Sequence, residues 1–286
     1  AYYHVPYYRS IFNKIGIIKN TSQINLEMFQ KLPFLDKNTI RQNFEELKTN
    51  DIGKRKWHEN ASGGSTGEPL TFIQDSTYAD WREAIKILFD SWTGYSLSEK
   101  KVRLWGSIRD LRVKEETLKT RFNKWVKNDV WLNAFRMTRK EMYDHIRKIN
   151  KFKPLLILSY AESIYELSLF IENEGLVVYS PDAIMTSAGN LFPHMRTTIS
   201  RVFKAPVYNR YGSREVGDIA CECNQHEGLH VCIPTHYIEI IKPNGSHVET
   251  GEIGEIVVTS LVNYAMPFIR YKIGDMGMWA NHTCKC

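Results

Sequence analysis

No apolar run in the 286 residues reaches the ~18–20 positions needed to span a bilayer. The opening AYYHVPYYRS lacks the basic start and following apolar stretch of a signal peptide. These two absences point to a soluble, cytoplasmic protein with no membrane span. Internal repeats and low-complexity segments are also missing. No basic stripe accompanies a nucleic-acid-binding signature, so nucleic acid is not an expected partner. The mixed-charge run from Lys114 to Lys127 reads as a solvated helix face. Cysteine is scarce, five in all. In a reducing compartment such residues tend to serve metals or catalysis rather than disulfides. What remains is 43% hydrophobic and 12% aromatic, enough for one large core or two modest ones. The net charge of +6 is mild and suits small anions such as nucleotides.

The first fifty residues read as short helices, with Leu26, Phe29, Leu32 and Leu35 at three-residue spacing until Pro33 interrupts. Tyr78, Trp81, Ile85, Leu88 and Phe89 predict a helix over 77–92. Thr138 and Glu141 form a capping box before Met142, Ile146 and Ile149, in a helix ending near Pro154. Leu155–Leu158 reads as a buried strand, and a helix through Ile164, Leu167 and Ile171 stops at Gly175. Val177–Tyr179 and Val207–Tyr208 read as strands, with a helix over Met195–Phe203 between them. This alternation predicts an α/β fold with parallel pairing. From Val231 the pattern changes. His236–Lys242 alternates, Pro243-Asn244-Gly245 makes a turn and Glu255–Ser260 is β-rich, which predicts a hairpin-bearing β subdomain. The expected organisation is an α/β core over 1–220 and a β subdomain over 221–286, within one domain.

Ser62-Gly63-Gly64-Ser65-Thr66-Gly67-Glu68-Pro69 is the sharpest local signal. Three glycines permit positive φ and close approach of backbone to ligand. Ser62, Ser65 and Thr66 add hydroxyl donors, and exposed N–H groups with hydroxyls make an anion nest. It is not a Walker A loop, because Glu68 follows Gly67 where lysine is needed. On composition alone a flexible surface turn fits equally well. A second constellation is Cys221-Glu222-Cys223, His226, His230 and Cys284-Lys285-Cys286. Thiolates and imidazoles at these spacings suit a structural, tetrahedral Zn²⁺. The preferred ligand set is Cys223, His230, Cys284 and Cys286, with Cys221 and His226 in reserve. Separate buried thiols are the alternative, and Cys232 reads as core.

SGGSTGEP resembles the phosphate loop of the adenylate-forming (acyl-coenzyme A synthetase) superfamily. Tyr211-Gly212-Ser213-Arg214-Glu215 resembles that family's Tyr-Gly-x-Ser/Thr-Glu motif, and Arg270-Tyr271-Lys272-Ile273-Gly274-Asp275 its Tyr-Arg-Thr-Gly-Asp motif, led by Gly251-Glu252-Ile253-Gly254-Glu255. The three stand in the family's order. The resemblance implies that Ser62–Gly67 closes on the ATP phosphates and that Glu215 coordinates Mg²⁺. Tyr211 would pack on adenine with Asn209, Arg210 and Gly212 beside it, and Asp275 would accept the ribose hydroxyls. Thr66, Glu215 and Arg214 become the catalytic candidates. Arg214 replaces a small hydroxyl residue and would contact a carboxylate or phosphate, or pair with Glu215. Thr186-Ser187-Ala188-Gly189-Asn190 would line the adenine and acyl pocket.

The Cys-x-Cys, Gly-Leu-His and late Cys-x-Cys pattern resembles phenylacetate–coenzyme A ligases and the related capsular-polysaccharide-biosynthesis proteins. The implied activity is ATP-dependent activation of a small carboxylic acid, with aryl acids among the candidates, as an acyl-adenylate, followed by transfer to coenzyme A. Two alternatives are an adenylyltransferase acting on a coenzyme and a non-catalytic protein of the polysaccharide pathway. Trp81, Phe89, Tyr160 and Ser187 are acyl-pocket candidates, and each also fits a plain core role. Family members continue into a C-terminal lid domain that carries a lysine for adenylation. The chain stops at Cys284-Lys285-Cys286 in mid-motif, as a piece of a longer protein would. It is expected to bind nucleotide better than it turns over. The resemblance leaves a homodimer open.

Overall fold

The computed structural model describes residues 1–17, 26–62, 69–106 and 128–286. The helix face expected over Lys114–Lys127 and the glycine-loop residues 63–68 lie outside them. The chain divides into two compact units. The first comprises Ala1–Ile85, Ser213–Ile219 and Val231–Thr283, and the second Lys86–Gly212, Ala220–His230 and Cys284–Cys286.

The first unit opens with the short helices expected: α1 (Pro6–Ile15), α2 (Leu26–Phe29), α3 (Lys37–Gln42) and α4 (Phe44–Leu47). α1 starts on a proline, whose missing N–H costs nothing at a helix start, and ends on Gly16 in the left-handed conformation. Asp36 caps α3 by accepting from the Thr39 N–H at 2.7 Å. Next come β1 (Trp57–Ala61) and β2 (Thr71–Asp75), an antiparallel hairpin with Ala61 opposite Thr71. The glycine loop is its connection. α5 (Ser76–Ser91) follows, within one residue of the span predicted.

The second unit is the α/β layer that the strand–helix alternation predicts. β3 (Lys101–Trp105), β4 (Asp129–Asn133), α6 (Arg139–Phe152), β5 (Leu156–Tyr160), α7 (Ala161–Asn173), β6 (Ala183–Ser187), α8 (Pro193–Phe203) and β7 (Val207–Ser213) succeed one another. β3 pairs in parallel with both β4 and β5, β5 with β6, and β6 with β7. The sheet order is β4-β3-β5-β6-β7, continued by β8 (Gly217–Glu222) and β9 (Leu229–Val231). The core is aliphatic: Val102, Leu104, Ile157 and Ile184 from strands meet Ile146, Ile149, Ile164, Leu167 and Ile199 from helices. Each such side chain contributes about 1.5–3 kcal/mol by leaving water. The capping box at Thr138 and Glu141 is present. Gly175, at φ +61°, ends α7 as expected.

One strand lies further along the chain than its residue types suggest. Val177–Tyr179 is not a strand; Val177 is 85% exposed. Asn150 holds this stretch instead, donating to the Val177 carbonyl at 2.9 Å and accepting from the Tyr179 N–H at 2.6 Å. The strand is Ala183–Ser187, whose five residues are all buried.

The first unit resumes with β10 (His236–Ile241), β11 (Gly254–Ser260) and β12 (Tyr271–Gly277), an antiparallel sheet in that order. The turn expected at Pro243-Asn244-Gly245 forms. Gly245 sits at φ +85°, and Asn244 Oδ1 accepts from the Ser246 N–H at 3.0 Å. Among the described residues no helix is long and apolar enough to cross a membrane.

Candidate functional site

In the first unit the chemistry gathers on two turns and one strand. Ser62 is buried and closes the base of the glycine loop. Its N–H donates to the Leu70 carbonyl, and its hydroxyl accepts from the Leu70 N–H, both at 2.9 Å. Ser62 is therefore committed to shaping the loop. Gly63, Gly64, Ser65, Thr66 and Gly67 fall outside the described residues.

β7 and β8 are joined by the turn Arg214-Glu215-Val216, held at each carbonyl. Gln74 of β2, fully buried, donates its amide to the carbonyls of Arg214 at 2.9 Å and Glu215 at 3.3 Å. Asn60 of β1 fixes that amide by donating to Gln74 Oε1 at 3.1 Å. The Val216 carbonyl faces His236 Nε2 at 2.9 Å. Because a carbonyl only accepts, the neutral imidazole carries its proton on Nε2. Burial lowers the His236 pKa, which favours that neutral form. Gly217 closes the turn at φ +86°; a Cβ there would lie 2.9 Å from the Tyr78 hydroxyl.

Glu215 is thus placed by backbone contacts that leave its carboxylate to other tasks. Beside it is Tyr271 of β12. Burial raises the Tyr271 pKa, and the charge of Glu215 raises it further, with a smaller push from Asp275. Asp275 is exposed on the same strand, past an irregularity in its pairing at Gly274, φ +93°. The base of the glycine loop, Glu215 and Asp275 are therefore linked within one unit, through Gln74 and Tyr271. Neither linking residue was singled out in the sequence. Tyr271 stands within the Arg270–Asp275 motif, whereas nothing local marks Gln74. Arg214 is exposed on the turn.

The second unit carries the other candidates. Ser187 is the last residue of β6, and Ala188 follows at φ +55°. A Cβ on Gly189 would sit 2.3 Å from Glu162 Oε2, so a larger residue here would have to turn that carboxylate aside. Asn209, Arg210, Tyr211 and Gly212 occupy the carboxyl-terminal half of β7, with Thr186 opposite Asn209. The Thr186 hydroxyl donates to the Tyr208 carbonyl at 3.1 Å. Carboxyl ends of parallel strands are where open α/β sheets place their ligands. Of the acyl-pocket candidates, Phe89 and Ser187 are buried, Trp81 is exposed, and Tyr160 stacks on Trp105 at 4.1 Å.

The Cys/His constellation also falls within the second unit. One ligand atom each from Cys223, His230, Cys284 and Cys286 lies within 4.8 Å of every other. Cys223 Sγ and Cys284 Sγ are 3.6 Å apart, and Cys286 Sγ is 3.5 Å from His230 Nε2. A tetrahedral zinc with bonds of ~2.3 Å to sulfur needs its sulfurs about 3.8 Å apart, so the donor set fits in chemistry and in size. The Cys286 N–H holds the Cys284 thiol below its usual pKa, whereas Cys286, crowded by the other two sulfurs, is pushed up to about 11. Three thiolates cannot share this space without a cation. Cys221 and Cys232 are buried elsewhere in the cores.

No family model matches the chain. It is 27% identical to the protein CapK of Staphylococcus aureus over 271 residues, covering 94% of this chain and 58% of CapK. It is 24% identical to the phenylacetate–coenzyme A ligase of Pseudomonas putida over 291 residues, covering 96% of this chain and 62% of the ligase. The chain thus spans about three fifths of each relative's length. A crystal structure of 2-hydroxyisobutyryl-CoA ligase, in an open conformation with 2-HIB-AMP and CoA, superposes with a TM-score of 0.75 at 18% identity, over 99% of this chain and 67% of that one. The chain thus shares the fold of that ligase, and in sequence it is similar to CapK and to phenylacetate–coenzyme A ligase, the resemblance that its three motifs carry in order.

Proposed function

We propose that the chain is the nucleotide-handling part of an enzyme that activates a carboxylic acid with ATP and passes the acyl group to coenzyme A. The observation that carries this reading is the linkage of the glycine loop's base, Glu215 and Asp275 through Gln74 and Tyr271. In the first step a carboxylate oxygen attacks the α-phosphorus, the bridge to the β-phosphate breaks and pyrophosphate leaves. In the second a thiolate attacks the acyl carbon and AMP leaves. The first step needs placement and charge neutralisation more than covalent help. The loop that Ser62 anchors would hold the phosphates with N–H and hydroxyl donors between Gly63 and Gly67, Thr66 among them. Arg214 would meet a phosphate or the acid's carboxylate. Asp275 would accept the ribose hydroxyls, and Tyr211 would pack on the adenine with Asn209, Arg210 and Gly212 framing it. Ser187, Ala188 and Gly189 would line the acyl side. Glu215 would hold Mg²⁺, which supplies charge neutralisation at the phosphates.

The four-ligand cluster of Cys223, His230, Cys284 and Cys286 would hold a Zn²⁺ ion. With no position left open, its role would be structural.

The reading predicts calorimetric binding of ATP–Mg²⁺ and an ATP–pyrophosphate exchange that depends on an added acid, drawn from a panel of aryl and short acyl acids. Glu215→Gln should lower exchange on the order of 100-fold while the fold, by circular dichroism, is kept. A well-folded wild-type chain that binds no ATP–Mg²⁺ would overturn the proposal.

A further inference from the structure

Between Cys221 and Cys223 stands Glu222, a residue that a metal motif uses only as a spacer. Spacers are ordinarily solvated, yet Glu222 is 5% exposed. Burying a carboxylate is costly unless its oxygens are met. Here they are met by groups with one thing in common. Oε2 accepts the backbone N–H of Asn209, on β7, at 2.8 Å. Oε1 accepts from Arg196 Nη2, on α8, at 2.6 Å. The other terminal nitrogen of Arg196 donates to the Val207 carbonyl, again on β7. His226 Nδ1 stands 3.2 Å from Oε2, and the His226 ring packs on Tyr208 with centroids 4.6 Å apart. Glu222 therefore fastens β7 directly at Asn209 and indirectly at Val207 and Tyr208. A strand N–H that donates to a carboxylate in place of a carbonyl makes a charge-assisted bond, roughly twice as strong as a neutral one.

The next residue along the chain is Cys223, one of the four clustered donors. Whatever fixes Cys223 fixes the backbone that presents Glu222. We infer that Glu222 is a positioning residue: it sets the backbone of Asn209 and so the stretch Asn209–Gly212, and metal at the cluster holds it in place. Zinc and nucleotide binding thereby support each other through one side chain. This rests on the nucleotide and zinc readings above and adds a coupling that neither contains. The coupling is reciprocal, as any linkage between two binding equilibria must be.

The test is a thermodynamic cycle on the full chain, with ATP–Mg²⁺ affinity read by calorimetry before and after zinc is stripped with a chelator, the Mg²⁺ being restored. Wild type, Glu222→Ala and Glu222→Gln are compared, with zinc content measured in each. Stripping zinc should weaken wild-type binding about tenfold, and Glu222→Ala should weaken it similarly while still holding one zinc. In Glu222→Ala, stripping zinc should cost less than a further twofold. Glu222→Gln keeps an acceptor for the Asn209 N–H and should recover part of the loss. The readout that separates positioning from a general loss of stability is hydrogen exchange at the Asn209 amide relative to the amides of β6. On Glu222→Ala and on zinc removal it should accelerate by more than the β6 amides do, which report only the general loss. Additive losses in the cycle, or unchanged exchange at Asn209, would overturn the coupling alone. A wild-type chain that binds no ATP–Mg²⁺, or no zinc, would overturn the reading beneath it and this inference together.

Discussion

At the residue scale, His236 shows how one buried side chain ties the Glu215 turn to pH. Its Nε2–H donates to the Val216 carbonyl, and Thr235 Oγ1 lies 2.9 Å from Nδ1. Burial lowers its pKa, partly offset by the bond to Val216 and the charge of Asp218. The sign follows directly. The unfolded chain takes up the proton near the ordinary histidine value of ~6.5, while the folded chain resists it to lower pH. The contribution to stability is complete above ~6.5 and is lost as pH falls through the lowered folded value. His145 on α6, also lowered by burial, acts in the same direction. The urea midpoint should therefore drop from pH 7 to 5.5, and His236→Gln, which keeps a donor for Val216, should shrink that drop without abolishing it. An undiminished drop in the variant would remove His236 from the account.

At the scale of elements, Arg270, the residue leading into β12, ties distant parts of the first unit together. Its guanidinium pairs with Glu239 of β10 at 2.9 Å, both side chains nearly inaccessible. It also donates to the carbonyls of Leu32, at 2.6 Å, and Gln30. Leu35 then pairs with Tyr271 as an extra, parallel bridge. The N-terminal segment is thus fastened to the β12 edge by backbone and side chain together. Removing one member of such a buried pair strands the other, so Arg270→Met should cost about 3–5 kcal/mol in urea unfolding. A loss below 1 kcal/mol would show that the pair is not needed. This tie illustrates what the sequence makes legible and what it hides. The capping box at Thr138 and Glu141 was legible because its partners sit three residues apart. The β10–β11 hairpin announced itself by alternation and an Asn-Gly turn. The Arg270 strap joins positions some 240 apart in the chain, and no local pattern encodes it. β6 was missed because a strand buried on both faces does not alternate, and its final Thr186-Ser187 looks like a loop. Val177–Tyr179 has strand-like residues but lies where Asn150, not a neighbouring strand, satisfies the backbone. The same contrast holds at the site. The motif residues are readable by type and order, while Gln74, Tyr271 and Glu222, which hold them, are recognisable only once the chain is folded.

At the scale of the whole molecule, the chain's path gives the Cys223, His230, Cys284 and Cys286 cluster its leverage. The second unit is built from three separate segments, and the last of them, Cys284–Cys286, is reached only after Val231–Thr283 has completed the first unit. Burial alone does not hold the two cysteines of this segment, since Cys286 is exposed and Cys284 only half-buried. A metal joining Cys223 to Cys284 closes a loop of 61 positions. By the loop-entropy relation used for covalent cross-links, such a closure is worth on the order of 4 kcal/mol against the unfolded chain. Purified protein should contain one zinc per chain by elemental analysis. Stripping it should lower the urea-unfolding free energy by roughly that amount, because binding energy at a closed site is folding energy. Cys284→Ser with Cys286→Ser should reproduce the stripped protein and be insensitive to the chelator. A double variant as stable as the wild type would mean that the four residues meet without a metal to join them, and that the last segment is held by something other than the cluster.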